Sequence, residues 1–414
     1  MDTQTIALIA TLSGLALAAV SLAAGWFWHS HSTRQQRQLT QQMADLGRSV
    51  GRMADYLDGL PQAKGEVHDH FEEGRRLQEA EQHEAAIRQF EKAFAAAEND
   101  GQRCALHILI GNSLYLLSRP REAEGHYRQA FAAAENAQDK QGQAASLGNL
   151  GSVYLQLGPL DKAEEHYKRA LAIDQEIGDQ LGQAKALGNL GLVYGDKGEV
   201  DKAEQHHKKA LDLHRQTGNR VGEANQLGNL GNVYLDQGQL GKAEHHHSKA
   251  LAIDQEIGNL LGQASALAGL GLVSLVGGQL DKGQEHLLQA FHIYTQTHNT
   301  LGQAETLGNL GVIYARRGEQ DKAEEHVKKA LAIDERIGNR LGQARELGNL
   351  GIVYALRGDA PLARDYLGRA RDLFAQLGAR AELEKTIANM KELKASSPPK
   401  AKRKRTRKKP PPKP

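Results

Sequence analysis

Five asparagines recur at one spacing: Asn149, Asn189, Asn229, Asn309 and Asn349, each two residues before a glycine. A carboxamide carries both a donor and an acceptor. A row of them therefore suits a polymer that offers both, such as the main chain of an extended peptide. Asn is a poor residue for the middle of a helix, so its recurrence argues for a use. The neighbouring positions have diverged. Four residues before each Asn stand Ala145, Lys185, Asn225, Glu305 and Arg345, and three residues after it stand Ser152, Leu192, Asn232, Val312 and Ile352. Simple copying of a duplicated unit would have kept these as well. Lys185, Asn225, Asn232 and Arg345 join the five asparagines as candidate binding residues. Two other readings compete: an amide ladder that ties neighbouring helices together, and plain solvent exposure. Peptide capture is favoured. The sixth unit departs, with Gly269 in place of Asn and Leu275 and Val276 nearby.

A second row is His126, His166, His206, His246, His286 and His326, extended by His207, His245 and His247. Metal binding is the tempting chemistry. Equivalent residues of stacked helical repeats stand roughly 10 Å apart, whereas zinc needs its ligands at about 2 Å. Packing is the favoured reading, and no metal site is expected. The single Cys104 rules out an intramolecular disulfide and a zinc site built on several thiolates. The chain has no phosphate loop, no G-x-S-x-G and no H-E-x-x-H. Its 44 glycines recur with the repeat described next, not in cradling loops. An enzyme is not expected and no cofactor is implied.

The elements that must position these residues follow from the period. Residues 179–218 and 219–258 are near-copies, and Gly151, Gly191, Gly231, Gly271, Gly311 and Gly351 mark a 40-residue step, with weaker copies centred on Gly74 and Gly111. Leu187, Leu190, Gly191 and Tyr194 share one helical face, and Ala203, His207, Ala210 and Leu211 share another. Gly198 lies between them, where a helix end needs a residue free to take positive φ. Asp201 and Glu204 place negative charge in the first turn of the second helix. Each unit thus reads as a helix–turn–helix, with Gly191 set against Ala203 where the two helices cross. Such a pair cannot bury its apolar face alone, but stacked neighbours can.

The phrase L-G-N-L-G-x-V-Y, followed by Ala, an aromatic or His, and Ala, resembles the tetratricopeptide (TPR) pattern. Its long form resembles the 40-residue units of kinesin light chains and Pins-type adaptors. The resemblance covers residues 66–378 in eight units. It implies an all-α, right-handed TPR solenoid whose first helices line a concave groove. In the resembled families the Asn position faces that groove and holds the main chain of a bound segment. The G-protein-binding repeats of Pins-type adaptors are not visible, so that activity is not carried over. A capping helix is expected over 379–395, with Leu383, Ile387 and Met390 as its apolar stripe.

The two ends differ from the middle. Ile6–Trp28 runs 23 residues without a charge, roughly 35 Å as a helix, which is enough for a bilayer core. Trp26 and Trp28 close it as an aromatic belt, and Arg34 and Arg37 follow. A transmembrane anchor over 1–31 is expected, with the bulk of the chain cytoplasmic and the N-terminus outside. A cleaved signal peptide, giving a periplasmic protein, is the alternative. Leu39, Met43, Leu46, Val50, Met53, Leu57 and Leu60 form a heptad seam within 32–62, which suggests a short coiled coil and a homodimer. The chain's 52 Lys+Arg nearly balance its 50 Asp+Glu, yet Pro398–Pro414 holds nine basic residues and no acid. This Lys/Arg/Pro-rich tail (396–414) is expected to be disordered. Lys402, Arg403, Lys404, Arg405, Arg407, Lys408 and Lys409 would make non-specific contact with nucleic acid or anionic lipid. With no interleaved aromatic, they offer no base-stacking platform. The expected function is a membrane-anchored scaffold that binds an extended segment of a protein partner. The alternative is a polyanion tether acting through the tail.

Overall fold

A computed structural model describes residues 66–80 and 82–395. Among the described residues there are seventeen α-helices and no strand. They are α1 (Glu66–Glu79), α2 (His83–Ala95), α3 (Asp100–Leu116), α4 (Pro120–Asn136), α5 (Lys140–Leu157), α6 (Leu160–Glu176), α7 (Gln180–Asp196) and α8 (Val200–Gln216). There follow α9 (Arg220–Asp236), α10 (Leu240–Glu256), α11 (Leu260–Val276), α12 (Leu280–Gln296), α13 (Thr300–Arg316), α14 (Gln320–Arg336), α15 (Arg340–Arg357), α16 (Ala360–Leu377) and α17 (Arg380–Ala395). Odd-numbered helices are the first of each pair, even-numbered the second, and α17 follows the last pair.

The helices fall into two compact units that divide within α13, between Ile313 and Tyr314. In the first unit each helix from α1 to α11 packs on the next, and α3, α5, α7, α9 and α11 also touch in succession. In the second, α14 packs on α15, α15 on α16 and α16 on α17. Leu367, Leu350 and Leu393 are buried together there, with Met390 packed against them.

The sequence dictates both ends of each first helix. Asn99, Asp139, Asp179, Asn219, Asn259, Asn299 and Asn339 each accept a hydrogen bond from the backbone N–H three residues on, at 2.8–3.2 Å. These are N-caps, which satisfy one of the amides left orphaned at a helix start. Six of the seven read Asp/Asn-x-x-Gly in the sequence, while Asn99 caps Gln102. At the other end, Gly198 has φ of +77°, as its place between two helices required.

The tight crossing also takes in a large side chain of the second helix. A Cβ on Gly191 would lie 2.6 Å from the ring of His207, sixteen residues on, and Gly74, Gly111, Gly151, Gly231, Gly271 and Gly351 face Phe90, Tyr127, Tyr167, His247, Leu287 and Leu367 in the same way. Ala203 is buried, and in the sixth unit the residue at its position, Gly283, brings its carbonyl oxygen within 3.3 Å of where a Cβ on Gly271 would stand. His207 and His247 therefore fill the large core position of their units.

Ile6–Trp28, the heptad seam and the basic tail all lie outside the described residues. Among the described residues, no helix is long and apolar enough to cross a membrane.

Candidate functional site

The candidate binding residues sit on first helices, and the structure divides them by access. Asn149 on α5 and Asn189 and Lys185 on α7 are half-buried. Beside Asn149, Gly148 has open space where a side chain would be. Beside Asn189 the space is taken, since a Cβ on Gly188 would lie 2.7 Å from the Nε2 of Gln226. On α9, Asn225, Asn229 and Asn232 are buried, with Asn229 only 3% and Asn232 0% exposed. Asn309, and Arg345 and Asn349 in the second unit, are buried as well. The expectation that every column amide faces an accessible groove thus meets a physical limit at α9, whose polar face is covered almost throughout.

Hydrogen bonding separates the column further. The Asn149 Nδ2 donates to Asn112 Oδ1 at 3.4 Å, one long rung between α5 and α3. Asn112 in turn accepts from the Tyr127 hydroxyl at 2.7 Å. The Asn349 Nδ2 donates to Glu346 Oε2, 3.1 Å away on its own helix. The Oδ1 atoms of Asn229 and Asn309, and both polar atoms of Asn232, are buried without a hydrogen-bond partner among the described residues. Such atoms cost about 1–3 kcal/mol each when nothing meets them. The amides of α9 are therefore poorly explained as a ladder that holds the fold together.

Gln226 does not stand out in the sequence, because it belongs to no repeating column. It is fully buried on α9, and its Oε1 lies 2.9 Å from the Nδ1 of His207. It links the core ring of one unit to the polar face of the next. No period announces it, because the equivalent residues are Ser146, Ala186, Ala266, Thr306 and Glu346.

The histidine row has a different use from any ligand set. His166, His206, His246 and His326 lie against Tyr154, Tyr194, Tyr234 and Tyr314, with ring centroids 4.8–5.2 Å apart. The hydroxyls of Tyr154, Tyr194, Tyr234 and Tyr354 donate to Glu124, Glu164, Glu204 and Glu324 of the preceding unit at 2.5–2.9 Å. Tyr154, Tyr194 and Tyr234 are thus each packed on a histidine of their own unit and hydrogen-bonded to the one before. Burial opposes the charge of Glu164, yet hydrogen bonds from Lys168, Lys197 and Tyr194 hold its carboxyl down at about 2. Burial lowers His166, His206 and His246 below the ordinary imidazole range. His126 makes a pair of its own, its Nδ1 3.1 Å from that of His107. Burial, with His126 beside it, pushes His107 down to about 4.

A further buried row closes the second helices of alternate units. Asp174, Asp254 and Asp334 are buried in the last turns of α6, α10 and α14. Each carboxylate lies against the glycine at the third position of the next helix, Gly182, Gly262 and Gly342. Burial pushes Asp334 up to about 6, while a hydrogen bond from Asn339 and the charge of Arg345 pull the other way.

The family model described as tetratricopeptide repeat matches residues 101–176, 182–256, 262–336 and 321–376, together more than half of the chain. A search of curated proteins gives no match. Several solved structures are similar. The apo form of the quorum sensor NprR from B. thuringiensis is 14% identical, with a TM-score of 0.61, covering 81% of this chain and 99% of that one. The Rap conjugation gene regulator of the plasmid pLS20, in complex with the Phr* peptide, is 14% identical, with a TM-score of 0.57 and coverage of 82% and 97%. A Rap protein complexed with competence and sporulation factor is 15% identical, with a TM-score of 0.54 and coverage of 80% and 98%. At these identities the likeness is one of fold.

Proposed function

This chain belongs to the tetratricopeptide-repeat family, and on that premise we propose that it is a non-catalytic scaffold that captures an extended segment of a protein partner. The observation that carries the reading is the pairing of half-buried Asn149 and Asn189 on neighbouring first helices, with open space at Gly148 between helix backbone and solvent. Side-chain amides one repeat apart meet a peptide main chain whatever its side chains are, because every residue but proline offers an N–H and a C=O. Lys185, on the same helix as Asn189, adds a charge for selecting among segments. Two structures of similar fold hold a peptide or a competence and sporulation factor, which supports a ligand of that size.

The test replaces Asn149 and Asn189 together by Ala. Partner capture in a pull-down should fall at least tenfold, as two hydrogen bonds worth about 1 kcal/mol each imply, while helical circular dichroism stays unchanged. Capture at the wild-type level would sink the reading.

The same proposal places the scaffold at a membrane through Ile6–Trp28, with the bulk of the chain on the cytoplasmic side. An intact mass that includes residues 1–31, with resistance to alkaline extraction, is the expected outcome. A mature N-terminus near residue 25 would instead indicate a periplasmic protein. Self-association through the heptad seam, and polyanion contact by the tail, belong to this proposal as secondary features. The alternative, a tether acting through the tail, predicts that deleting Lys400–Pro414 abolishes function with the repeats intact.

A further inference from the structure

Asn149 and Asn189 read alike in the sequence, but the glycine before each meets a different neighbour. A Cβ on Gly188, in α7, would stand 2.7 Å from the Nε2 of Gln226 on the following first helix, α9. The residue at the same offset from Gly148 is Ala186, on α7. Its methyl ends far short of a carboxamide, and a Cβ on Gly148 would meet nothing within 4 Å. Gly148 is accordingly half-buried and Gly188 buried.

Gln226 is poorly explained as a contact that only holds the fold. It is fully buried. Its Oε1, 2.9 Å from the Nδ1 of His207, anchors the end of the side chain. Its Nε2 is buried without a hydrogen-bond partner among the described residues. An unmet donor of that kind costs stability, and Ala186 and Ala266, at the same place in their units, carry no such cost. The anchored amide is therefore held against Gly188, next to Asn189. Around Gly148 the chemistry is apolar and short. Ala145, on the same helix, is half-buried, and Ala186 is 5% exposed. Helices α5 and α7 touch. Packed helices stand about 8–10 Å apart, which is about three residues of extended chain at roughly 3.3 Å each.

We propose that Gln226 is a specificity-determining residue of the groove: it closes the place beside Asn189 to all but a small side chain, while the place beside Asn149, backed by Ala186, admits a bulky apolar one. The inference rests on the capture reading above, and it names the segment that reading takes. Such a segment carries a bulky apolar residue and, about three positions away, glycine, alanine or serine. Asn149 and Asn189 hold its main chain, and the depth behind each is set by the next first helix.

The probe is a displayed library of random short peptides, selected on the immobilised full chain and sequenced. The wild type should enrich the bulky and small pair at that spacing. In Gln226→Ala, bulky residues at the small position should rise about tenfold over wild type. Gln226→Met keeps the bulk without the amide, so it should keep the wild-type profile. Gly148→Leu fills the open space from the other side. It should lose the bulky apolar preference about tenfold and keep the small one. A Gln226→Ala profile equal to wild type, a Gln226→Met profile relaxed like that of the alanine variant, or a Gly148→Leu profile that keeps the bulky residue overturns the assignment. Peptide selection that is lost in the Asn149 and Asn189 variant but indifferent to Gln226 removes this inference and leaves the groove. A wild type that selects no peptide removes the capture reading and this inference together.

Discussion

Single residues in this protein do different work according to small differences of place. The turn between units usually carries glycine at positive φ, yet Gln138 and His298 take its position with φ of +53° and +52°. A side chain with a Cβ pays roughly 1–2 kcal/mol in the left-handed region. Replacing His298 by Gly should relieve that strain, less the entropy that glycine loses on folding. A net gain of about 0.5 kcal/mol is expected in urea unfolding, and a loss would show that the imidazole makes a compensating contact. The histidines illustrate the same dependence on place. His206 lies against a tyrosine near the surface, while its neighbour His207 fills the core beside Gly191. Adjacent residues of a helix point about 100° apart, so one run of two histidines serves two unrelated purposes.

Helices are held in their pairs by the absence of side chains at chosen points. In a helix interior a change of Gly to Ala ordinarily gains about 1 kcal/mol. For Gly191→Ala the sign should reverse. The new methyl would stand 2.6 Å from the His207 ring, and that ring is buried and engaged with Gln226. Overpacking of this kind costs about 1–3 kcal/mol, so a net loss is expected in denaturant melts. Gly148→Ala should go the other way, because its Cβ would meet nothing within 4 Å. The contrast between two glycines three residues from equivalence tests the crossing itself, independently of any ligand. Between units, the tyrosine-to-glutamate hydrogen bonds repeat the same join, so in a stack of nearest-neighbour contacts their effects accumulate along the array.

Across the whole molecule, the titrating groups point to acid sensitivity, and the sign follows from each shift. His107, at about 4, and His126, His166, His206 and His246, all lowered by burial, bind protons less readily folded than unfolded. Their contribution is complete above about pH 6.5 and is lost as pH falls toward their folded values. Glu164 and Glu324, both held at about 2, contribute above about pH 4.3 and lose that contribution below it. Asp334, raised to about 6, acts in the opposite sense and gives back some stability as it protonates. With His286, which burial also lowers, six imidazoles oppose one carboxyl between pH 6.5 and 4, so Tm should fall from pH 7.5 to 5.5 and fall further by pH 3.5. A flat or rising Tm over the first interval would contradict the burial of these rings. Calorimetry at the three pH values is the measurement.

Sequence by itself determined the helix–turn–helix unit, its 40-residue period and the Gly198-type turn, because these rest on contacts within a few residues and on backbone freedom that each residue carries with it. The asparagine column was legible for the same reason: periodicity exposes any position that repeats. Three things only tertiary structure decided. The ring of His207 fills the space beside Gly191, since helix crossing sets which side chain reaches a gap. The amides of α9 are covered while Asn149 and Asn189 are half open, although all five read alike, because burial depends on the neighbouring helices and not on the repeat. And Ser265, unremarkable in the sequence, joins Asn225 and the buried Asp254 around one small pocket. A residue's partner eleven positions away is fixed only when the next helix has packed.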